Sequence, residues 1–142
     1  MTQKQLSFTR VTDSDAAAPT KWLYVAHGIF GAGRNWASVA KRVVRNRPTW
    51  GALLIDLREH GASHDFPAPH TLESAADDIA ALAAVQPPPS ALLGHSFGGK
   101  VALMYLRRHA AANRALENDY VPLGMQDVVR DYFSSLQPTG DR

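Results

Sequence analysis

The distribution of apolar and polar positions divides the first 110 residues into alternating short strands and helices. Residues 5–11, QLSFTRV, alternate apolar and polar, the period-two pattern of a half-buried strand. A turn-like stretch rich in Asp, Ala and Pro leads to KWLYVAH at 21–27, a continuous apolar run expected of a strand covered on both faces. After Gly28, Gly31 and Gly33, the segment following Asn35 places Trp36, Val39, Ala40, Val43 and Val44 at helical spacing, and Pro48 closes it. GALLIDL at 51–57 is a second buried strand, followed by the polar loop REHGASHDFPAPH. Residues 72–85 predict a helix with Leu72, Ala75, Ala76, Ile79 and Leu82 on one face, and Pro87, Pro88 and Pro89 forbid its continuation. SALLGH at 90–95 predicts another strand, and KVALMYLRRHA after Gly98-Gly99 another helix. Strands alternating with helices of a dozen residues predict an α/β architecture: a mainly parallel sheet with flanking helices.

Composition narrows the classes of function. The 142 residues suit one domain, and 45% hydrophobic with 20% charged residues is a globular balance. No apolar run reaches the roughly 18 residues of a membrane span. The N-terminus, MTQKQLSFTRVTD, has no apolar signal core, so the expected location is cytoplasmic. The absence of cysteine rules out disulfides, thiolate catalysis and cysteine metal sites. A net charge of +2, with Lys41, Arg42, Arg45 and Arg47 along a predicted helix, reads as a solvated face, and no nucleic-acid partner is expected.

The chemistry is concentrated at Gly94-His95-Ser96-Phe97-Gly98-Gly99, a G-x-S-x-G sequence between a predicted strand and a predicted helix. A sharp strand-to-helix turn forces strained dihedrals on the serine and needs small neighbours where backbones cross. It projects the hydroxyl at the carboxyl end of the sheet, against a helix N-terminus that favours developing negative charge. The alternative role for Ser96 is a tight turn without catalysis. A second piece, His27-Gly28-Ile29-Phe30-Gly31, ends the first long strand in a glycine-rich bend. Backbone amides there, Ile29 first and Phe30 next, are candidates to complete an oxyanion hole with the amide of Phe97.

In order and spacing, HGIFGAGRNW, LLIDLREHGAS and GHSFGGK resemble the α/β-hydrolase superfamily, nearest its esterase and acyl-hydrolase branch, over residues 5–110. The resemblance implies Ser96 as nucleophile, Ile29 and Phe97 as backbone oxyanion donors, and hydrolysis of a small acyl ester or thioester. It implies no cofactor and no metal. It also implies a chiefly structural role for Asp56, Arg58, His60, Gly61 and Ser63.

A serine nucleophile needs a general base oriented by a carboxylate, and in this superfamily the order is Ser, Asp or Glu, then His. Only 46 residues follow Ser96, and no strand ending in aspartate is recognisable among them. His109 lies about 19 Å along the helix that starts at the serine, out of its reach. His27 and His95 read as structural. His60, His64 and His70, in the loop after a strand, are the candidates for a surrogate base. Asp119, Asp127 and Asp131 are carboxylates with no predicted link to Ser96.

The pattern changes near residue 113. Residues 1–112 hold twelve Lys/Arg against eight Asp/Glu, and residues 113–142 hold three against five. The expected organisation is therefore 1–112 as the N-terminal part of the hydrolase domain and 113–142 as a divergent helical tail. In that tail Met125, Val128, Val129, Tyr132, Phe133 and Leu136 form one apolar stripe. The chain reads as C-terminally truncated relative to the family, a skipped strand giving such a sequence. Two consequences are expected: an exposed sheet edge at ALLG that favours self-association, and either a serine hydrolase carrying the nucleophile half of its site or a catalytically silent form that acts by binding or dimerisation.

Overall fold

A computed structural model describes residues 4–109. Residues 110–142, and with them the 112/113 boundary, the apolar stripe and the three late aspartates, lie outside the described residues. The order of elements is β1 (Phe8–Val11), β2 (Lys21–Ala26), a 3-10 turn (Gly33–Trp36), α1 (Ala37–Asn46), β3 (Trp50–Ile55), α2 (Leu72–Val85), β4 (Ala91–Gly94) and α3 (Phe97–His109). The strands form one sheet in the order β1-β3-β2-β4. β2 is parallel to both β3 and β4, and β1 is antiparallel to β3. The α/β sheet with flanking helices is thus as expected, with one antiparallel strand at the edge.

The unbroken apolar runs of β2 and β3 follow from burial on both faces. Successive side chains alternate across a strand, so Trp22, Tyr24, Ala26, Leu53 and Ile55 enter a core under α2 and α3. Val25, Ala52 and Leu54 enter a second core on the other face, against Ala40 and Val44 of α1. Parallel β2 and β3 are in register, Val25 opposite Leu54 and Ala26 opposite Ile55, which brings their carboxyl ends to one edge. Both candidate loops, 27–31 and 56–63, leave from that edge.

Helix ends follow local chemistry. The Thr71 hydroxyl accepts the Ser74 N–H at 3.1 Å, an N-cap for α2. At the other end the Gln86 N–H bonds Leu82 O before the three prolines. Two boundaries differ from the sequence reading. Residues 33–36 form a 3-10 turn before α1, in which the Asn35 side chain accepts the Ala32 N–H at 2.7 Å. α3 starts at Phe97, so Gly98 and Gly99 belong to its first turn; the crossing of α3 over β2, described below, requires that. No helix among the described residues is long and apolar enough to cross a membrane.

Candidate active site

β4 hands over to α3 in a turn too tight for ordinary geometry. The ladder continues one residue past the strand, with the His95 N–H bonded to Ala26 O at 3.0 Å. Ser96 then takes φ 52°, a left-handed conformation costing an L-residue about 1–3 kcal/mol unless its surroundings enforce it. The Gly98 N–H returns to His95 O at 2.9 Å and the Gly99 N–H to Ser96 O at 3.0 Å. The flanking glycines are there because of close approach. A Cβ on Gly94 would stand 2.5 Å from Gly98 O, and one on Gly98 would overlap the carbonyl oxygen of Ala26. Ser96 is exposed at the N-terminus of the 13-residue α3, where the helix dipole favours an anion.

Beside it lies a cleft of about 540 Å³, walled by Gly28, Ile29, Phe30, Trp36, His95 and Ser96. The structure therefore brings together three of the predicted groups, Ser96, Ile29 and Phe30, with Phe97 adjoining Ser96 in the chain. Among the described residues the amide N–H groups of Ile29, Phe30 and Phe97 donate to no protein acceptor. A bound carbonyl oxygen can be met by such unspent donors.

The loop 27–31 is held from beneath by His27, which is fully buried. Its Nδ1 lies 2.7 Å from Gly28 O, and its Nε2 is 3.0 Å from the Leu57 N–H. An amide only donates and a carbonyl only accepts, so the ring is the neutral Nδ1–H tautomer. Burial pushes its pKa below the ordinary 6.5, against the bond to Gly28, and the neighbouring His60 adds to the depression. This structural role agrees with the sequence reading.

The loop after β3 ties the site to the sheet. Asp56 accepts the Gly33 N–H at 2.7 Å through Oδ1 and the Ala62 N–H at 2.9 Å through Oδ2. Arg58 is buried; its Nε and Nη2 meet the two Asp78 oxygens at 2.6 and 3.0 Å, and Nη1 donates to Pro69 O at 2.6 Å. Ser63 donates to Asp56 O at 2.6 Å and accepts the Ser7 N–H at 2.8 Å. Asp56, Arg58 and Ser63 of the D-x-R-x-H-G-x-S pattern thus fasten three different segments.

The histidines are distributed as follows. His60 lies beside the site, with its ring 5.0 Å from that of His27 and 6.2 Å from that of Phe97. His64 and His70 are exposed and act on Glu59, whose carboxyl is held below its usual range chiefly by the Phe66 N–H. His95 lines the cleft, its ring 5.8 Å from Trp36. His109 is bonded to Asp77 at 3.0 Å on the far end of α3. Burial works to raise the Asp77 pKa, but hydrogen bonds from Arg108 and His109 outweigh it and the net shift is downward. All six histidines lie among the described residues, and none is hydrogen-bonded to Ser96. Asp56 as the brace of the 3-10 turn and His60 as a contact of Ile29 emerge only from the structure; both join residues more than twenty positions apart, for which spacing carries no signal.

Comparison with known proteins agrees with this architecture. Residues 23–142 match the alpha/beta hydrolase family. An sn-1-specific diacylglycerol lipase ABHD11 of Xenopus tropicalis is 37% identical in an alignment of 112 positions that covers 72% of this chain and 33% of the relative. A pimeloyl-[acyl-carrier protein] methyl ester esterase of Neisseria meningitidis is 38% identical over 96 residues, 68% of this chain and 35% of the relative. Among solved structures, a marine microorganism esterase superposes with a TM-score of 0.64 at 29% identity, covering 76% of this chain and 38% of that one. The matching segment is about a third of the length of these curated relatives. With the sheet order, the turn at Ser96 and the family match in agreement, the chain belongs to the α/β-hydrolase family.

Proposed function

We propose that the chain provides the nucleophile-bearing part of a serine hydrolase acting on carboxylic esters or thioesters. The observation that carries this reading is Ser96 itself: an exposed hydroxyl on a strained residue at φ 52°, at a helix N-terminus, with the Phe97 amide unspent beside it. Strain of this kind persists only where the surroundings enforce it. The names of the relatives, a diacylglycerol lipase and a methyl ester esterase, support ester chemistry. In the proposed reaction Ser96 Oγ attacks the acyl carbonyl carbon and gives its proton to a general base, which hands it on to the leaving alcohol or thiol. The amides of Phe97 and Ile29, with Phe30 as the alternative donor, hold the oxyanion, each contributing about 2.7–4 kcal/mol in the transition state. The alcohol or thiol leaves with a proton, and water then releases the acid from the acyl-enzyme.

One observation favours a second reading, a catalytically silent form that acts by binding. No histidine is bonded to Ser96, and an unactivated serine is a weak nucleophile. In this reading β4, which among the described residues pairs on one side only, with β2, offers an edge for self-association. The deciding experiment is hydrolysis of a short-chain p-nitrophenyl ester, with Ser96→Ala as control. Turnover lost in the variant supports the hydrolase. Equal rates for the two proteins refute it, and sedimentation of the protein over a range of concentrations then tests the edge.

A further inference from the structure

The loop that carries the Ile29 and Phe30 amides is not held by the side chains of those two residues: Phe30 is 102% exposed and Ile29 46%. Its geometry depends on its carbonyls. In a planar trans peptide the C=O and the following N–H point in opposite directions, so fixing one aims the other. The Gly28 carbonyl is held by the Gly31 N–H at 2.9 Å and by His27 Nδ1 at 2.7 Å, which directs the Ile29 N–H away from His27. The Ile29 carbonyl lies 2.6 Å from His60 Nε2, which directs the Phe30 N–H away from His60. Ile29 therefore has a pinned peptide plane on each side, and each candidate donor is aimed by one imidazole.

From these contacts we infer that His60 is a positioning residue for the oxyanion loop, acting through the Ile29 carbonyl, rather than a base for Ser96. The inference rests on the ester-hydrolase reading above. His60 Nδ1 is itself 2.8 Å from Arg58 O. Carbonyl oxygens accept only and a neutral imidazole carries a single N–H, so the contact with Ile29 O, the shorter of the two, is a hydrogen bond when that proton sits on Nε2; with a carbonyl oxygen against each ring nitrogen, neither is turned to the serine. The same ring packs 6.2 Å from that of Phe97, whose amide is the other donor. One side chain thus touches both segments that build the hole.

Two substitutions separate the roles. A glutamine amide nitrogen falls near the position of a histidine Nε2, and an asparagine amide nitrogen near Nδ1. His60→Gln therefore keeps a donor to Ile29, and His60→Asn offers one only toward Arg58; neither amide takes a proton from serine. The readouts are the rate of Ser96 labelling by a fluorophosphonate and the amide ¹⁵N–¹H resonances of Ile29 and Phe30. His60→Asn is expected to slow labelling about 10²-fold, the usual effect of a displaced catalytic group, and to move both resonances. His60→Gln is expected to stay close to wild type in both. Equal loss of labelling in the two variants, with resonances unmoved, would make His60 a base and overturn the inference, as would wild-type behaviour of His60→Asn. If wild-type Ser96 does not react at all, the hydrolase reading fails separately. The resonances then decide alone: displacement by Asn but not by Gln supports positioning, and no displacement overturns it.

Discussion

Asp56→Asn is a one-atom change with a calculable cost. The carboxylate receives two backbone donors, Gly33 N–H at 2.7 Å and Ala62 N–H at 2.9 Å, one on each oxygen. An asparagine has one acceptor oxygen, so its NH₂ must face one of those N–H groups. One charge-assisted bond is lost and a donor is stranded, while the other bond becomes neutral. Hydrogen bonds to a charged group contribute about 1.5–3 kcal/mol and neutral ones about 1 kcal/mol. The sum of one bond lost and one weakened is about 2–5 kcal/mol. For a domain of this size that lowers Tm by about 10 °C. The assay is thermal unfolding followed by circular dichroism, with exposed Asp15→Asn as the charge-matched control, expected within about 0.5 kcal/mol of wild type. Because Gly33 opens the 3-10 turn just after the 27–31 loop, the same variant is expected to slow Ser96 labelling. A Tm within 2 °C of the control, on the order of 0.5 kcal/mol, would refute the account of Asp56 as the brace of this edge.

Two further outcomes follow from the same edge. Arg58 is buried and uses the full fork of its guanidinium on Asp78 and Pro69 O; Arg58→Met should cost about 3–5 kcal/mol in chemical denaturation by stranding Asp78. Arg58→Lys should recover no more than about half of that, since an ammonium cannot reproduce the bidentate geometry; full recovery would contradict the role assigned to the fork. His27 is held neutral by burial, its pKa depressed from 6.5. The unfolded chain therefore binds a proton that the folded chain refuses, so His27's contribution is complete above pH 6.5 and is lost as pH falls through its folded pKa. Its ring resonances in an NMR titration should move only below pH 6.5, and a midpoint at or above that value would overturn the assignment.

Much of the fold was legible because it depends on periodicity. The continuous apolar runs at 21–27 and 51–57 announce strands buried on both faces, and β2 and β3 supply side chains alternately to the two cores. Leu72, Ala75, Ala76, Ile79 and Leu82 announce the buried face of α2, and Pro87 announces its end. G-x-S-x-G between a strand and a helix was enough to locate the turn, since a left-handed serine flanked by crossing backbones admits few other sequences. These are local constraints, imposed by the residues on either side.

Tertiary structure alone decided which groups meet. Sequence spacing placed His60, His64 and His70 on equal terms as loop histidines; folding turned His60 onto Ile29 O, 31 positions away, and left the other two exposed. It likewise joined Asp56 to Gly33, Arg58 to Asp78 and Ser63 to Ser7. Spacing could not reveal these contacts, because a polar side chain is satisfied as well by water as by a partner until packing excludes the water. The sequence by itself determined the strand and helix periods, the turn at Ser96 and the family they imply. The register of parallel β2 against β3 carried two loops to one edge of the sheet, and packing there left their buried polar groups to pair with each other and with the segments around them.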